Sequence, residues 1–562
     1  MSFVNNSSSR QKSCYYQDDL YLIYLYYWQT FNQRRFCMTD FKLTYSTMFN
    51  PPEELHTQYD LALAQQKENL GQEFAMFING RDVLSEEKFE DRTPIDTDVV
   101  LALMQKGNQE HARLALTAAR QAFPTWSRTP WQERVVLLRK AASLIEARLF
   151  SLSVAMSLEV GKNRMEAIGD VQETADLIYY ACDQMEANNG YIQTLGRDPL
   201  PNHDSTNISL LRPYGVWLVI SPFNFPFALT GGPAGAALVA GNTVVIKPAT
   251  DTAWIVRLLV DCFRDAGMPD GVVNFVTGPG RTLGQALVES PEVDGVTFTG
   301  SFEVGMKMHQ DFSRRNYIRP VILELGGKNP AIVSRHANLE DAATGIVRSA
   351  FGLQGQKCSA ASRIFVEEPV YDELTARLKD LTEKLTIGDP TDRKNFLGPV
   401  INRAAYDDFK NFSEELSQAG HFLTGGKTLN SHLAKGFFCQ PTLAVDVPYS
   451  HPLWQQEMFL PIATIGKVKN LQEAIHSANS VNYGLTAGFY GSDEEVDWFF
   501  DNIEAGVTYA NRPQGATTGA WPGFQPFGGW KGSGSSGKNS GGPYYLPLYM
   551  HEQIRTLVRP KQ

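Results

Sequence analysis

At 562 residues the chain is too long for one compact core, and about two or three domains are expected. Its 43% hydrophobic and 20% charged residues are those of an ordinary globular protein, and no run of about twenty apolar residues escapes polar interruption, so no transmembrane helix is expected. A formal net charge of -10 argues against a general nucleic-acid or acidic-membrane binder, which needs clustered Lys and Arg. The six cysteines show no CxxC or paired spacing; they fit neither a disulfide framework nor a zinc site and suit a reducing compartment.

Residues 1 to about 37 stand apart. The stretch from Tyr15 to Trp28 is aromatic without a helical period, and Arg34-Arg35 and Met38 follow it. No apolar segment leads to a small-residue cleavage site, and the Asp18-Asp19 pair with few arginines makes a poor transit peptide. A poorly ordered tail, or an extension upstream of a start at Met38, is expected.

From about residue 109 the pattern is helical. Ala112, Leu114, Ala118, Ala119 and Phe123 are expected on one face; Trp131 to Leu149 reads as an amphipathic helix, and Ala155 to Met185 as a further long one. Then the period changes. Val216–Ile220, Thr243–Ile246, Val272–Val276 and Gly295–Phe298 are short apolar, β-branched runs, with helical segments such as Trp254–Ala266 between them. Buried strands alternating with helices indicate parallel βαβ units and a doubly wound nucleotide-binding domain. After Pro330 the alternation resumes in Ala331–Val333, Arg363–Val366, Ile462–Ile465 and Gly484–Tyr490, which predicts a second α/β domain. Gly528 to Gly542 reads as a loop, and Tyr544 to Leu557 as a closing strand or arm.

Among the cysteines, Cys358 has the best surroundings for a nucleophile. It lies in Phe351-Gly352-Leu353-Gln354-Gly355-Gln356-Lys357-Cys358-Ser359, where flexible backbone admits a substrate and a lysine or helix end favours thiolate. Cys182, Cys262 and Cys439 sit in apolar or helical runs and read as packed residues. Glu324, in Leu323-Glu324-Leu325-Gly326-Gly327-Lys328-Asn329-Pro330, is a carboxylate at a strand end; it is either an exposed turn residue or a general base for a water. The segment Ser221-Pro222-Phe223-Asn224-Phe225-Pro226 follows a buried strand, where α/β sheets carry ligand loops. Asn224 can cap the next helix or donate to an oxyanion.

Asn224, Glu324 and Cys358, in this order and context, resemble the aldehyde dehydrogenase superfamily over roughly residues 75 to 557. The resemblance implies an α/β, aldehyde dehydrogenase-like fold, with two doubly wound α/β domains and a β-arm for oligomerisation. The implied plan is a dinucleotide-binding domain at 38–189 and 214–329, an arm at 190–213 and 535–562, and a catalytic domain at 330–534. Cys358 is the implied nucleophile and Glu324 the base that activates water. Asn224 and the Cys358 N–H form the implied oxyanion hole.

The implied cofactor is NAD. Lys247, before Pro248, resembles the family's adenosine-ribose lysine, and Gly300 and Ser301 open a helix suited to a pyrophosphate. Ser221 and Phe223 fall in the loop beside it. Gln456-Glu457-Met458-Phe459-Leu460-Pro461 resembles the segment that holds the nicotinamide ribose through Glu457, with Phe459 packed nearby; the usual glycine before the proline is Leu460 here. After Pro248 come Ala249-Thr250, with no acidic residue to exclude a 2′-phosphate, so NAD over NADP rests on the resemblance.

A second set of motifs resembles one branch, the pyrroline-5-carboxylate (L-glutamate γ-semialdehyde) dehydrogenases of proline degradation: Gln356–Arg363, Glu159-Val160-Gly161-Lys162-Asn163, Thr518-Gly519-Ala520, Gln525–Gly529 and Gly541–Leu546. There the N–H groups of Gly519 and Ala520 and the Ser359 hydroxyl are expected to hold the substrate carboxylate. Glu159, paired with Lys357, is expected to take the ammonium group, and Phe225 and Phe527 to flank the aliphatic chain. The alternatives are another semialdehyde or an aliphatic aldehyde as substrate, or a non-catalytic binding protein of the same fold. The expected partners are a small-molecule semialdehyde and further copies of the chain in a homo-oligomer, with no nucleic acid and no membrane; the expected location is the cytoplasm, or the mitochondrial matrix in a eukaryote.

Overall fold

Residues 43–45, 47–314, 317–429 and 431–561 are described by the computed structural model, and the expected N-terminal tail, 1–37, lies outside them. The first long helix, α1 (Gln109–Trp126), starts where the Asn108 side chain accepts from the N–H groups of Glu110 and His111. It buries Ala112, Ala115, Leu116, Ala118 and Ala119, whereas Leu114 is exposed. Leu114 lies roughly 200° around the helix from Ala112, on the opposite side, so the expectation that it faces the core is corrected.

Three helices follow: α2 (Trp131–Ala147), α3 (Leu149–Val160) and α4 (Arg164–Ala187). The single helix predicted through Ala155–Met185 is in fact two. Gly161 ends α3 at φ 82°, the left-handed conformation that glycine adopts without strain, and the Asn163 side chain restarts the chain as α4 by accepting from the Glu166 N–H. The break turns the face of α4 that carries Glu166, Asp170 and Glu173. Further along come α5 (Ala228–Ala240), α6 (Ala253–Ala266), α7 (Phe302–Ser313) and α8 (Leu339–Phe351).

The first seven-stranded sheet contains β1 (Met76–Ile78), β2 (Arg81–Val83), β3 (Val216–Ile220), β4 (Thr243–Lys247), β5 (Val273–Phe275), β6 (Gly295–Thr299) and β7 (Val321–Glu324). Their order is β7-β6-β3-β4-β5-β1-β2, parallel as far as β5 and antiparallel beyond it. Every residue of β4, β5 and β6 is buried, as a parallel sheet covered on both faces requires. Val216, Leu218, Val245 and Val296 share a core with the small residues of α1.

The second seven-stranded sheet holds β8 (Asn329–Val333), β9 (Ala361–Glu367), β10 (His421–Thr424), β11 (Thr442–Val445), β12 (Ile462–Val468), β13 (Thr486–Tyr490) and β14 (Val507–Ala510), in the order β10-β11-β12-β9-β8-β13-β14. Only β10 runs antiparallel to its neighbour. The strand predicted as Gly484–Tyr490 divides at Leu485: Tyr483-Gly484 pairs with Trp530-Lys531 in the glycine-rich segment, and only the remainder joins the large sheet.

A third sheet joins Ile192–Thr194, His203–Pro213 and Met550–Pro560. The closing strand starts at Met550 rather than Tyr544, because Leu546–Tyr549 forms a turn of 3-10 helix first. Ile192, Ile554, Leu557 and Val558 stand exposed on this sheet. Among the described residues no single helix is long and apolar enough to cross a membrane.

Candidate active site

The C-terminal end of α8 delivers Cys358. Beyond Phe351 the backbone turns through Leu353, Gln354 and Gly355 at φ 48°, 56° and 68°. A side chain at Gly355 would collide with the Leu460 carbonyl, so the loop is held tightly against the Glu457–Pro461 segment. From the other side the Asn329 amide donates to the carbonyls of Cys358 (2.6 Å) and Ala360 (2.9 Å). Gly327 lets this happen, since a Cβ there would strike the Cys358 carbonyl. The cysteine is thus fixed by its backbone, and its thiol is left free of that role. Burial first, then the Glu457 and Glu324 carboxylates, hold the thiol above its ordinary range.

Glu324 ends β7 and is buried, and its Oε2 has no hydrogen-bond partner among the described residues. Burial alone pushes its carboxyl up to about 8. A buried carboxyl with an unused oxygen, close enough for its charge to reach the cysteine, is equipped to exchange a proton with a water. Asn224 is buried in the loop after β3, and Phe225 beside it lines the cavity that contains Cys358.

The ends of β3 and β4 form the adjoining ledge, tied by Ser221 N donating to the Lys247 carbonyl (3.2 Å). Ser221 Oγ is buried without a partner among the described residues. Lys247 is buried, its Nζ donates to the Pro248 carbonyl (2.8 Å), and burial lowers it to about 8. At the next strand end, Gly300 and Ser301 lead into α7, with Ser301 Oγ accepting from Val304 N–H (3.4 Å). Phe223 packs edge-on against Phe459 (5.8 Å between centroids), and Phe459 takes φ 57° directly before Leu460. Glu457 accepts from Gly327 N–H (2.8 Å), and burial pushes it up to about 7. Unused hydroxyl and carboxylate oxygens beside a helix N-terminus suit a dinucleotide, which offers hydroxyls and a pyrophosphate.

Phe225, Lys357, Cys358, Ser359, Gly519, Ala520 and Phe527 line one cavity of about 80 Å³, together with Tyr45, Glu173 and Trp521. Gly519 has φ 119°, and a Cβ there would collide with the Arg512 guanidinium. The Thr517 hydroxyl donates to the Ser359 carbonyl (2.6 Å) and binds this loop to the nucleophile's loop.

Glu159 is not in the cavity. Its oxygens accept from the N–H groups of Trp254 (2.8 Å) and Ile255 (2.9 Å) and cap α6, next to Asp91. Nor does Lys357 pair with it: Lys357 Nζ reaches Glu166 at 2.6 Å. Glu166 is occupied on both oxygens, since Asn163 and the Leu353 N–H also donate to it. Asp170 pairs with Lys162 (2.8 Å), whose ammonium lies 3.6 Å from the centre of the Phe225 ring. Glu173 is the carboxylate that faces the cavity, with the Tyr45 hydroxyl donating to it at 3.1 Å. Burial and the neighbouring Asp170 push Glu173 up to about 8. The spacing 166, 170, 173 puts three carboxylates on one helical face, a readable sign of a buried charge cluster; nothing in the sequence places Tyr45 against it.

The nucleophile loop, the bare glutamate at a strand end and the ledge beside them are those of one enzyme class. The aldehyde dehydrogenase family profile matches residues 82–554, and the chain belongs to this family. It is 37% identical over 498 residues to 1-pyrroline-5-carboxylate dehydrogenase 1 of Halalkalibacterium halodurans, spanning 88% of this chain and 94% of that one. It is also 37% identical over 502 residues to 1-pyrroline-5-carboxylate dehydrogenase 2 of Bacillus subtilis, spanning 88% and 95%. The crystal structure of 1-pyrroline-5-carboxylate dehydrogenase from Thermus with bound NAD matches with a TM-score of 0.86 at 33% identity, over 93% of this chain and 100% of that one.

Proposed function

We propose that the chain oxidises L-glutamate γ-semialdehyde, the open form of pyrroline-5-carboxylate, to L-glutamate with NAD, as a step of proline degradation. The observation that carries the substrate is the cavity that Cys358 lines together with Ser359, Gly519 and Ala520, whose hydroxyl and N–H groups suit a carboxylate. Relatives that share over a third of the sequence bear the corresponding name.

In this reading Cys358 attacks the aldehyde carbon to give a thiohemiacetal, and the Asn224 amide and Cys358 N–H hold its oxyanion. Loss of hydride from the thiohemiacetal carbon leaves a thioester on Cys358, and NAD, when bound, would supply the hydride acceptor. Glu324 then removes a proton from the water that cleaves the thioester on Cys358. Ser221, Phe223, Lys247, Gly300, Ser301, Glu457 and Phe459 would hold the cofactor. Phe225 and Phe527 flank the substrate's methylenes. Glu173, in place of Glu159, supplies the carboxylate for the ammonium group. In this reading the first sheet serves the dinucleotide and the second serves catalysis. The exposed apolar side chains of the third sheet are covered by another copy of the chain.

Turnover of pyrroline-5-carboxylate by purified protein, followed as NADH absorbance beside succinic and aminoadipic semialdehydes and propanal, tests this function; repeating the panel with NADP tests the cofactor. The highest kcat/KM is expected for pyrroline-5-carboxylate with NAD. No signal with it while another aldehyde reacts would end the reading.

A further inference from the structure

A second cavity, of about 360 Å³, adjoins the one that holds Cys358. Its lining carries Arg164, Arg348, Lys357, Arg393 and Lys394, against a single carboxylate, Glu166, which Lys357 already engages. Arg348 has no carboxylate partner among the described residues. It donates to the Pro513 carbonyl (3.1 Å), and its guanidinium lies 3.9 Å from the centre of the Phe49 ring. Arg164 is only 4% exposed, and its Nε is buried without a partner among the described residues, although its Nη2 donates to Asp60 (2.8 Å) and the Thr391 carbonyl (2.6 Å) and its Nη1 reaches His56. Arg393 and Lys394 pair with Glu53 and Asp392, but both pairs are exposed and weakened by water, so an entering carboxylate can compete for these two cations.

The two cavities share three side chains, Tyr45, Lys357 and Thr518. Tyr45 stands edge-on to Trp521 (5.5 Å) and to Phe225 (6.3 Å), so an aromatic partition separates basic space from reactive space. Lys357 lies on the same boundary and precedes Cys358 directly. A molecule passing from one cavity to the other meets a cation at each stage.

We propose that this basic cavity is a second carboxylate-binding site, which gathers the anionic end of the substrate before the aldehyde passes Tyr45 and Lys357 to reach Cys358. The inference rests on the proposed function, because it needs a substrate that carries a carboxylate. The site takes small carboxylates as a class, and for this reaction those are the entering semialdehyde and the departing glutamate.

The test compares kcat/KM for pyrroline-5-carboxylate with kcat/KM for propanal in the full chain at low salt. Arg348→Gln is expected to lower the ratio of the two about tenfold, and the loss is expected to shrink as salt screens the site. The exposed double variant Arg393→Gln/Lys394→Gln is expected to lower it about threefold, and it decides the matter if Arg348→Gln does not fold. A fall in this ratio identifies the semialdehyde as the ligand; weaker product inhibition by glutamate identifies glutamate, and either result supports the site. An unchanged ratio together with unchanged glutamate inhibition in a folded variant overturns it. Wild-type protein that ignores pyrroline-5-carboxylate refutes the proposed function instead, which keeps the two failures distinct.

Discussion

The end of β7 and the start of α6 each bury one glutamate, and the two are used in opposite ways. At the start of α6, Glu159 gives both oxygens to backbone N–H groups that the helix itself cannot satisfy. At the end of β7, Glu324 Oε2 has no partner among the described residues, and burial alone raises its carboxyl. A carboxylate whose hydrogen bonds are complete closes a piece of structure. One left incomplete in the interior destabilises the fold and remains available for chemistry. The same contrast runs through the hydroxyls: Ser301 Oγ accepts from its own helix, whereas Ser221 Oγ waits without a partner among the described residues.

The comparison can be tested most severely at the cysteine. Cys358→Ala is expected to cut turnover by about 10⁴-fold or more while NAD still raises the melting temperature. Retained turnover would remove the reason for a bare glutamate beside it.

Glu324→Gln is the next test and has two opposed outcomes. Steady-state turnover falls by about 10²- to 10⁴-fold, with a single-turnover burst of NADH preserved, because the thioester forms but is not hydrolysed. Stability moves the other way. The folded carboxyl titrates near 8 and the unfolded one near 4.5, so the unfolded state binds fewer protons between those values. The wild type therefore loses stability as pH rises from about 4.5 to about 8, and the Gln variant does not. Its melting temperature is expected to exceed that of the wild type by a margin that grows across this window. A variant less stable than wild type at pH 8 would show that Glu324 is a structural residue like Glu159. Asn224→Ala, expected to cost about 10²- to 10³-fold in kcat, measures how much of the effect belongs to the oxyanion rather than the water.

Much of this architecture was legible in the chain. Val216–Ile220 and Thr243–Ile246 read as buried parallel strands, because each is a short run dominated by apolar, β-branched residues that ends in a ligand loop. Cys358 stands out by its glycines, and Gly355 is explained by its close approach to the Leu460 carbonyl, whereas Gly352 makes room for the Glu166 and Lys357 side chains. The role of Glu159 is not readable locally, because it depends on α6, some ninety-five residues away in sequence, and on the break at Gly161 that separates it from α4. The exposure of Leu114 is hard to read for a local reason: the alanines of α1 leave its buried stripe weakly marked. Tyr45 lies far from every motif, and only the tertiary fold brings it to Glu173.

The smallest effect is expected at Glu159, and there the comparison is closed from the other side. Glu159→Ala leaves the N–H groups of Trp254 and Ile255 unsatisfied in the interior, at a cost of roughly 1–3 kcal/mol. The variant also removes the hydrogen bond by which Glu159 lowers the Asp91 carboxyl, so burial acts on Asp91 with less to oppose it. A lower melting temperature is expected, with KM for pyrroline-5-carboxylate within about twofold of wild type. In Glu173→Gln the same KM should rise while the melting temperature holds or increases, since a buried carboxyl raised to about 8 is exchanged for a neutral amide. If instead KM rises in the Glu159 variant and not in the Glu173 variant, the substrate's ammonium group reaches α3, and completeness of hydrogen bonding ceases to separate structural from functional carboxylates here.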